Sequence, residues 1–216
     1  MKVTVHDSIS SIAREDWDAL AGDDNPCLKL AFLDLAERTG SVAPDAGWTP
    51  RHLALQDGGK LRAVMPLYEK SHSWGEFVFD WAWAHAYEQA GLDYYPKLVS
   101  AIPFTPAPST RILRADSNDH EAVHLLLSAA TKLALETSCS SLHVLFPTSG
   151  EISLFEDAGL LVRKDCQFHW HNRGYKRFDD FLATFTSAKR KKAKRDRRRV
   201  AENGIRFRRL RGPELD

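Results

Sequence analysis

Apolar residues recur along the first forty positions at two different spacings. In residues 2–6 they alternate with polar neighbours, which is typical of a strand. Over 10–20 and 28–38 they recur at the helical period, and the second run stops at Gly40, a residue type that often ends a helix. The chain therefore opens with one predicted strand followed by two predicted helices.

A hairpin is the clearest local pattern in the next segment. Residues 51–56 and 61–69 read as strands, and the four residues between them have the sequence DGGK. An Asp-Gly pair supplies the positive φ angles that a tight hairpin turn needs. We therefore expect 51–69 to form two antiparallel strands.

The remaining pattern continues to mix strands and helices. We expect an α/β protein with a mixed sheet, because short apolar runs alternate with amphipathic ones. The predicted strands lie at 76–80, 97–103, 142–147, 160–171 and 205–210, and the predicted helices at 82–90, 121–137, 153–158, 178–186 and 188–203.

Charge is distributed very unevenly along the chain. The overall net charge is +1, yet residues 1–175 carry a balance of −8 and residues 176–216 a balance of +9. Nine of the eleven residues from Lys189 to Arg199 are basic. Charge therefore surrounds this predicted helix, so it cannot be an ordinary core helix.

Composition narrows the class of protein. A 216-residue chain with 43% apolar residues can bury a substantial core. Its three cysteines are far apart and form no CxxC pair, which argues against a disulfide framework or a structural metal. No run approaches the roughly 18 apolar residues of a membrane span, and no signal-peptide pattern occurs. We expect a soluble, cytoplasmic protein without a metal.

Two long segments resemble a known family. They are GEFVFDWAWAHAYEQAGLDYYPKLVSAIPFTP, and QFHWHNRGY followed by FDDFLATFTSAKRKKAKRDRRRVAENGI. Both are similar to the FemAB-like group of predicted N-acyltransferases within the acetyltransferase (GNAT) superfamily. The resemblance implies a GNAT-like, mostly antiparallel sheet flanked by helices and followed by a basic connecting helix.

The resemblance also implies a domain arrangement and a reaction. Such proteins are usually tandem GNAT-like domains, so we expect a domain at 1–175, a helical connector at 176–204, and the start of a second, missing domain at 205–216. The implied reaction moves an acyl or aminoacyl group to an amine. The donor would be acyl-CoA or aminoacyl-tRNA, and the acceptor a small molecule or a peptidoglycan precursor.

Two local features depart from this pattern. No Q/R-x-x-G-x-G/A phosphate loop, the signature of acetyl-CoA binding, occurs in the sequence. Where the family tends to have a glycine-containing turn after PFTP, this chain has APSTRIL. The acyl donor therefore stays open at this level.

The basic helix has three interpretations. It could be a solvated connector between domains, since runs of charge usually face water. It could contact the phosphates of tRNA or of a nucleotide-linked acceptor through Lys189, Arg190, Lys192 and Arg195. A DNA-reading helix is the third, although no helix-turn-helix or zinc pattern surrounds it.

Five residues are candidates for general-base or substrate-orienting chemistry. His169 and His171 are two apart on a predicted strand, so both imidazoles would share one face. His72 could accept an amine proton, and so could Glu76 or Asp80 if burial raised the pKa of the carboxyl group. Structural histidines and a capping loop are the alternatives.

Aromatic residues are concentrated at 81–95, in and around the predicted helix 82–90. Lys97 is the one cation in this apolar span and a candidate ligand for a carboxylate or phosphate of the substrate. The rings could line an acceptor groove, or they could pack in the core. They are Trp81, Trp83, Tyr87, Tyr94 and Tyr95.

The sequence thus supports two functional hypotheses. The first is an N-acyltransferase, or the N-terminal half of one. The second is a non-catalytic module that binds an anion or a nucleic acid through the basic helix.

Overall fold

The computed structural model describes residues 1–215. The chain divides into two compact units, which we call unit 1 (Met1–Arg163) and unit 2 (Lys164–Asp216). This boundary lies before the expected one at residue 175, and the assignment of a connector and a second domain stays a prediction.

Unit 1 is a mixed α/β structure, as expected. Its strands are β1 (Lys2–His6), β2 (Trp48–Pro50), β3 (His52–Asp57), β4 (Lys60–Met65), β5 (Tyr68–Lys70), β6 (Lys97–Ser100), β7 (Leu113–Arg114) and β8 (Leu142–Val144). Its helices are α1 (Arg14–Ala21), α2 (Leu30–Arg38), α3 (Trp81–Gln89), α4 (His120–Glu136) and α5 (Ser149–Asp157). Short 3₁₀ turns occur between several of these elements.

The first sheet, sheet A, has the order β1-β3-β4-β7 and every neighbouring pair is antiparallel. Leu53 and Leu55 point into a core that they share with α4. Ala54 and Val64 point the other way, into a core that also contains Trp17 of α1. Both faces of sheet A are therefore covered, which explains the unbroken apolar runs at 53–55 in β3 and 63–65 in β4.

The second sheet, sheet B, has the order β2-β5-β6-β8. Its first two pairs are antiparallel, whereas β6 and β8 are parallel. Helix α4 lies between these two parallel strands along the chain, as a parallel connection requires. The prediction of a mixed, mostly antiparallel arrangement is confirmed, but it is divided between two sheets.

The predicted hairpin forms, and it is longer than expected because it runs through both sheets. Gly58 and Gly59 make its turn with φ angles of 55° and 81°. The predicted strand 61–69 breaks at Pro66, which has no amide hydrogen to donate to a strand ladder. On the far side of this break the chain enters sheet B as β5, and β2 precedes β3 in the same way.

Helix α4 agrees closely with its prediction. Asp119 caps it by accepting a hydrogen bond from the backbone N–H of Ala122. Arg62 donates two hydrogen bonds of 2.7 Å to the same carboxylate and so ties the helix start to β4. The ion pair with Arg62 also keeps the pKa of Asp119 below its usual value.

Three predicted strands are wrong. Residues 76–80, 160–171 and 205–210 contain no strand. Their composition suits a strand, but a strand also needs a neighbour to pair with, and no strand within residues 1–215 pairs with these segments. Residues 76–80 instead form part of a loop that lies against sheet B.

Unit 2 contains two helices, α6 (Phe178–Ala183) and α7 (Ser187–Glu202). Phe181 of α6 is the centre of a small aromatic cluster and contacts the rings of Trp170, Tyr175, Phe178 and Phe185. Helix α7 is the predicted basic helix, and Gly204 follows its end with a φ of 71°. Among the described helices of both units, none combines the length and apolar character needed to cross a membrane.

Glu151 provides a test of how unit 1 is held together. Its buried carboxylate accepts hydrogen bonds from the backbone N–H groups of Arg111, Ile112 and Thr148. Replacing Glu151 with Ala leaves these groups without their acceptor, so we expect the free energy of unfolding to fall by about 3–5 kcal/mol. Denaturation in urea measures this loss. Exposed Glu156 on the same helix is the control, and an equal effect of Glu156→Ala would contradict the assignment.

Candidate functional site

Two lysines lie side by side on neighbouring strands of sheet B. Lys70 on β5 and Lys97 on β6 are direct partners in the antiparallel register, and both side chains are fully buried. Buried ammonium groups are costly unless they are paired or hydrogen-bonded. Their surroundings therefore have to supply acceptors.

The loop at 71–80 supplies these acceptors to Lys97. The Lys97 ammonium donates hydrogen bonds to Ser73 Oγ at 2.8 Å and to Glu76 Oε2 at 2.9 Å, and it also bonds Asp80 Oδ2 at short range. Both carboxyl groups are buried as well. One cation and two acids thus form a buried ionic cluster, which we call the Lys97 cluster.

Two tyrosines extend the Lys97 cluster. Tyr94 donates a hydrogen bond of 2.8 Å from its hydroxyl to Asp80 Oδ2. The Tyr95 hydroxyl lies 2.8 Å from Ser73 Oγ. Both rings also lie near the Lys97 ammonium, at 5.2 and 5.7 Å from their centroids. Several residues proposed separately from the sequence, both tyrosines and Lys97 among them, therefore belong to one network with the two acids.

The acids of the Lys97 cluster have spare acceptor atoms. Within residues 1–215, Glu76 Oε1 and Asp80 Oδ1 are buried without a hydrogen-bond partner. Buried polar atoms are nearly always paired in folded proteins, so an unpaired oxygen calls for an explanation. Two such oxygens in one cluster are the chemical feature that distinguishes this part of the molecule.

The two carboxyl groups have opposite pKa shifts. Burial raises the pKa of Glu76, and the attraction of Lys97 offsets only part of this effect. Burial also acts to raise the pKa of Asp80, but the hydrogen bond from Lys97 and further donors outweigh it, so the pKa of Asp80 is lowered. Glu76 is therefore the better proton acceptor near neutral pH, and Asp80 the fixed counter-ion.

Lys70 has a different environment from Lys97. Its ammonium lies 3.7 Å from the ring centroid of Trp48 and donates hydrogen bonds to the carbonyls of Gly47 and Trp74. Burial lowers the pKa of Lys70 to about 7; the Glu76 carboxylate opposes this shift and Lys97 adds to it. Lys70 has no direct carboxylate partner in the described chain, so little opposes the lowering of its pKa by burial.

His72 lies in the same loop, but its imidazole is already engaged. Its Nδ1 accepts a hydrogen bond of 3.2 Å from the Trp74 backbone N–H, so the neutral ring carries its proton on Nε2. The ring also packs against Gly47, where an added Cβ would come within 2.2 Å of His72 Nε2. In this conformation His72 is a hydrogen-bond acceptor and packing residue.

Large aromatic side chains surround the outer side of this loop. Helix α3 has no buried residue, although its sequence, WAWAHAYEQ, is apolar on most sides. Trp81 and Trp83 are 45% and 56% exposed, and Tyr87 packs its ring against Tyr94 at 5.1 Å. Exposed apolar surface of this extent commonly marks a binding site. The exposed rings in the stretch from 74 to 83 are those of Trp74, Phe77, Phe79, Trp81 and Trp83.

A separate cavity of about 820 Å³ lies where α4 and α5 begin. Its lining mixes polar and apolar residues; the polar ones include Ser109, Ser117, Asn118 and His120, and also the acids Asp24 and Glu151. Arg114 also lines it, and the buried Nε of this residue has no hydrogen-bond partner in the described chain. The cavity could therefore accept a polar group, with Arg114 Nε as the unpaired donor.

His169 and His171 lie in unit 2, outside any strand. Their rings are nearly parallel, with centroids 6.3 Å apart, and His169 Nε2 is 3.1 Å from Gln167 Oε1. The expectation that the two side chains share one side of the chain agrees with the stacked rings, although the strand it relied on does not form.

The candidate phosphate ligands of α7 differ from one another. Arg190 donates hydrogen bonds to the carbonyls of Leu182 and Ala183 at the end of α6, and it is half-buried there. Lys189, Lys192 and Arg195 are exposed. Arg190 is thus a structural cap of the preceding helix.

Sequence reasoning missed Ser73 and Lys70 as members of the site. A lysine at the end of a strand gives little signal by itself. The pattern that could have indicated Lys70 is its spacing of two residues from Tyr68. On a strand this spacing places the lysine on the same face as a buried aromatic ring. The described residues contain no group of three or more His, Cys, Asp or Glu side chains arranged to bind one metal ion.

A family model for peptidoglycan biosynthesis/recognition proteins, named FemAB-like, matches residues 8–216. The chain belongs to the FemAB-like family. This membership agrees with the resemblance seen in the sequence and supports an N-acyltransferase in general. No curated protein matches the chain significantly.

Two solved structures show a distant likeness to this FemAB-like protein. One is the apo form of the aminoglycoside 6'-N-acetyltransferase AAC(6')-Ig from Acinetobacter haemolyticus, with a TM-score of 0.45 and 12% identity over 82% of this chain and 100% of that chain. The other is AAC(6')-Ih from Acinetobacter baumannii, with a TM-score of 0.46 and 12% identity over 80% of this chain and 99% of that chain.

Removing the cation of the Lys97 cluster tests its role in stability. Lys97→Met leaves Glu76 and Asp80 as two buried acids without their counter-ion, and we expect a loss of about 3–5 kcal/mol in the free energy of unfolding. Adding Glu76→Gln and Asp80→Asn to this variant should restore at least half of the loss. Equal stability of the single and triple variants would disprove the pairing, and exposed Lys132→Met serves as the neutral control.

Lys70 gives a prediction about pH. Its folded-state pKa of about 7 lies below the ordinary value of 10.5, so between these values the unfolded chain binds a proton that the folded chain lacks. The stability of the wild type should therefore rise with pH across this window by up to about 1.4 kcal/mol per pH unit more than that of Lys70→Met. Urea denaturation at pH 6.5, 8 and 9.5 measures the difference, and parallel curves would refute the shift.

Proposed function

We propose that this FemAB-like protein is an N-acyltransferase that moves an acyl group from a CoA thioester to an amine of a peptidoglycan-related acceptor. The observation that carries the proposal is the unpaired, buried Oε1 of Glu76 in the Lys97 cluster. Family membership supports the reaction class and the type of acceptor.

Glu76 is proposed as the general base. Its raised pKa brings the carboxylate closer to the basicity needed to take a proton from an ammonium group or from an attacking amine. Lys97 binds the other oxygen, Oε2, and so fixes the orientation of the carboxylate. Oε1 lies below the surface, so the proposal requires a movement of the loop at 71–80 that gives an acceptor amine access to it.

The proposed step balances in atoms and electrons. The amine nitrogen attacks the thioester carbonyl carbon, a C–N bond forms, and the C–S bond breaks. Glu76 takes the proton that the amine loses and passes a proton on to the departing thiolate, so that CoA leaves as a thiol and the Glu76 carboxylate is regenerated. The products are an amide and free CoA.

The aromatic surface beside the loop is the proposed acceptor-binding region. Trp81 and Trp83 offer exposed indole rings that can pack against sugar or aliphatic parts of an acceptor, and indole N–H groups add a polar contact. Tyr95 links this region to Ser73 of the Lys97 cluster. The proposed binding residues and the proposed base, Glu76, belong to one continuous segment of the chain. This supports a role for both in the same reaction.

The cavity at the start of α4 is proposed to hold the phosphate-bearing end of the donor. Arg114 is the proposed ligand because its Nε lacks a partner within residues 1–215 and a guanidinium binds phosphate oxygens well, whereas its terminal nitrogens donate to the carbonyls of Ile112 and Ser117. The N-terminus of α4 itself does not fit, since the Asp119 carboxylate already caps it. We therefore propose that the arginine side chain, and not the helix N-terminus, contacts the donor's phosphates.

An acyl-transfer assay tests the proposal. Acetyl-CoA, longer acyl-CoAs and aminoacyl-tRNA are each incubated with amino sugars and muropeptides that carry a free amine, and the amide product is followed by mass spectrometry. We expect product from an acyl-CoA. Glu76→Gln should lower kcat by about 10²–10⁴-fold and abolish the acidic limb of the pH profile, at little change in donor KM. Amide formed only from aminoacyl-tRNA would reject the CoA donor.

The control is Glu88→Gln, a carboxamide substitution at an exposed site on α3. In the wild type, activity should fall as the pH drops through the pKa of Glu76, above the ordinary value of 4.5, because only the carboxylate can accept a proton. A folded protein that makes no amide from any donor would overturn the acyltransferase assignment. An unchanged pH profile in Glu76→Gln would overturn the role of Glu76 alone.

A further inference from the structure

The basic helix α7 has an inner face that packs on α6. Arg190, Ala193 and Val200 are its half-buried residues, and they recur at helical spacing along one side. Arg197 stacks on the Phe178 ring at 4.3 Å, and Lys194 lies 3.5 Å from the Asp179 carboxylate of α6. These cations have structural partners inside unit 2.

The opposite face of α7 is different, and we call it the outer face. At 100° per residue, Lys191, Lys192, Arg195 and Arg199 fall within an arc of about 100° that is centred opposite the inner face. All four are exposed. The outer face therefore carries four cations. Glu202, the last residue of the helix, is the one acid on this side of α7.

The outer-face cations are largely free of internal partners. In the described part of the chain, the side chains of Lys191, Lys192 and Arg199 form no ion pair and no hydrogen bond, and Arg195 makes only an exposed contact of 3.6 Å with its neighbour Asp196. Four like charges on one face repel each other. Such a face is stabilised when a polyanion covers it.

We propose that the outer face of α7 binds the phosphate backbone of a nucleic acid. Lys191 and Arg199 are about 12 Å apart along the helix axis, a length over which duplex DNA presents about seven phosphate charges. Arginine forks also match phosphate oxygens. The backbone chemistry is common to RNA and DNA, and the experiment distinguishes these sources.

Other features of α7 favour a nucleic acid over a lipid surface. A helix that lies on a membrane needs a face of large apolar residues, whereas the apolar residues of α7 are three alanines and Val200. Its inner face is occupied by α6. The net charge of the whole chain is only +1, so binding cannot come from bulk charge and has to be local to this face.

The test uses the full chain and fluorescence anisotropy with a labelled 20-nucleotide RNA, the DNA of the same sequence, and a DNA duplex. For the wild type, log affinity should fall linearly with log salt. Lys192→Ala, Arg195→Ala and Arg199→Ala together remove three phosphate contacts, which should lower the slope on single strands by about 2 and weaken binding about 100-fold at 0.1 M salt. Alanine preserves helix propensity, which circular dichroism checks.

A charge-matched control distinguishes binding by the outer face from a general effect of net charge. Lys2→Ala, Lys60→Ala and Lys132→Ala remove the same charge from exposed positions of unit 1 and should leave affinity within about twofold. An equal loss in both triple variants, or no binding of any nucleic acid by the wild type, would overturn the proposal. So would binding to vesicles that contain an anionic phospholipid in the absence of binding to RNA or DNA. None of these results bears on amide formation by unit 1.

Discussion

The contact between the Lys97 ammonium and the two acids of the loop at 71–80 organises much of unit 1. Lys97 belongs to sheet B, whereas Glu76 and Asp80 belong to a segment without regular structure. The ion pairs therefore replace the ladder of backbone hydrogen bonds that would otherwise fix such a segment. Asp80 precedes α3, so the direction in which that helix leaves the loop depends on the same cation. Its carboxylate makes no capping bond to α3: Lys97 and Tyr94 both bind Oδ2, and Oδ1 has no hydrogen-bond partner in the described chain.

Under the proposed function, this arrangement links stability to proton transfer. A hydrophobic replacement of the three charged groups could be as stable as the native cluster, because desolvation of buried ions offsets much of their attraction. What the ionic version adds is a carboxylate held at one oxygen and free at the other. Gly75 contributes to the same geometry: its φ is 84°, and a Cβ there would approach the Phe104 ring to 2.6 Å. The loop is thus shaped by close packing and by charge together.

Elements that depend on nearby residues could be predicted from the sequence, and those that depend on distant partners could not. Helix α4 and the turn at Gly58 follow from local spacing and backbone preference. The strand predicted at 160–171 does not form. The apolar pattern of this segment carries no information on whether another strand is available to pair with it. Glu76 and Lys97 could be selected by their chemical types. Their meeting depends on the pairing of β5 with β6, which brings together segments that are separated by a helix and a long loop, and no pattern within either segment records that pairing.

The bent hairpin has a consequence for variation in this protein. Because β2 continues into β3 and β4 into β5, one turn sets the alignment of strands in both sheets. A residue inserted at Gly58 or Gly59 could be absorbed as a wider loop. An insertion at Pro66 would instead rotate Lys70 to the opposite face of sheet B, because side chains alternate along a strand. Length changes between related sequences should therefore accumulate at the tip of the hairpin and be avoided at its bend. The number of residues at the bend fixes which face of sheet B carries Lys70.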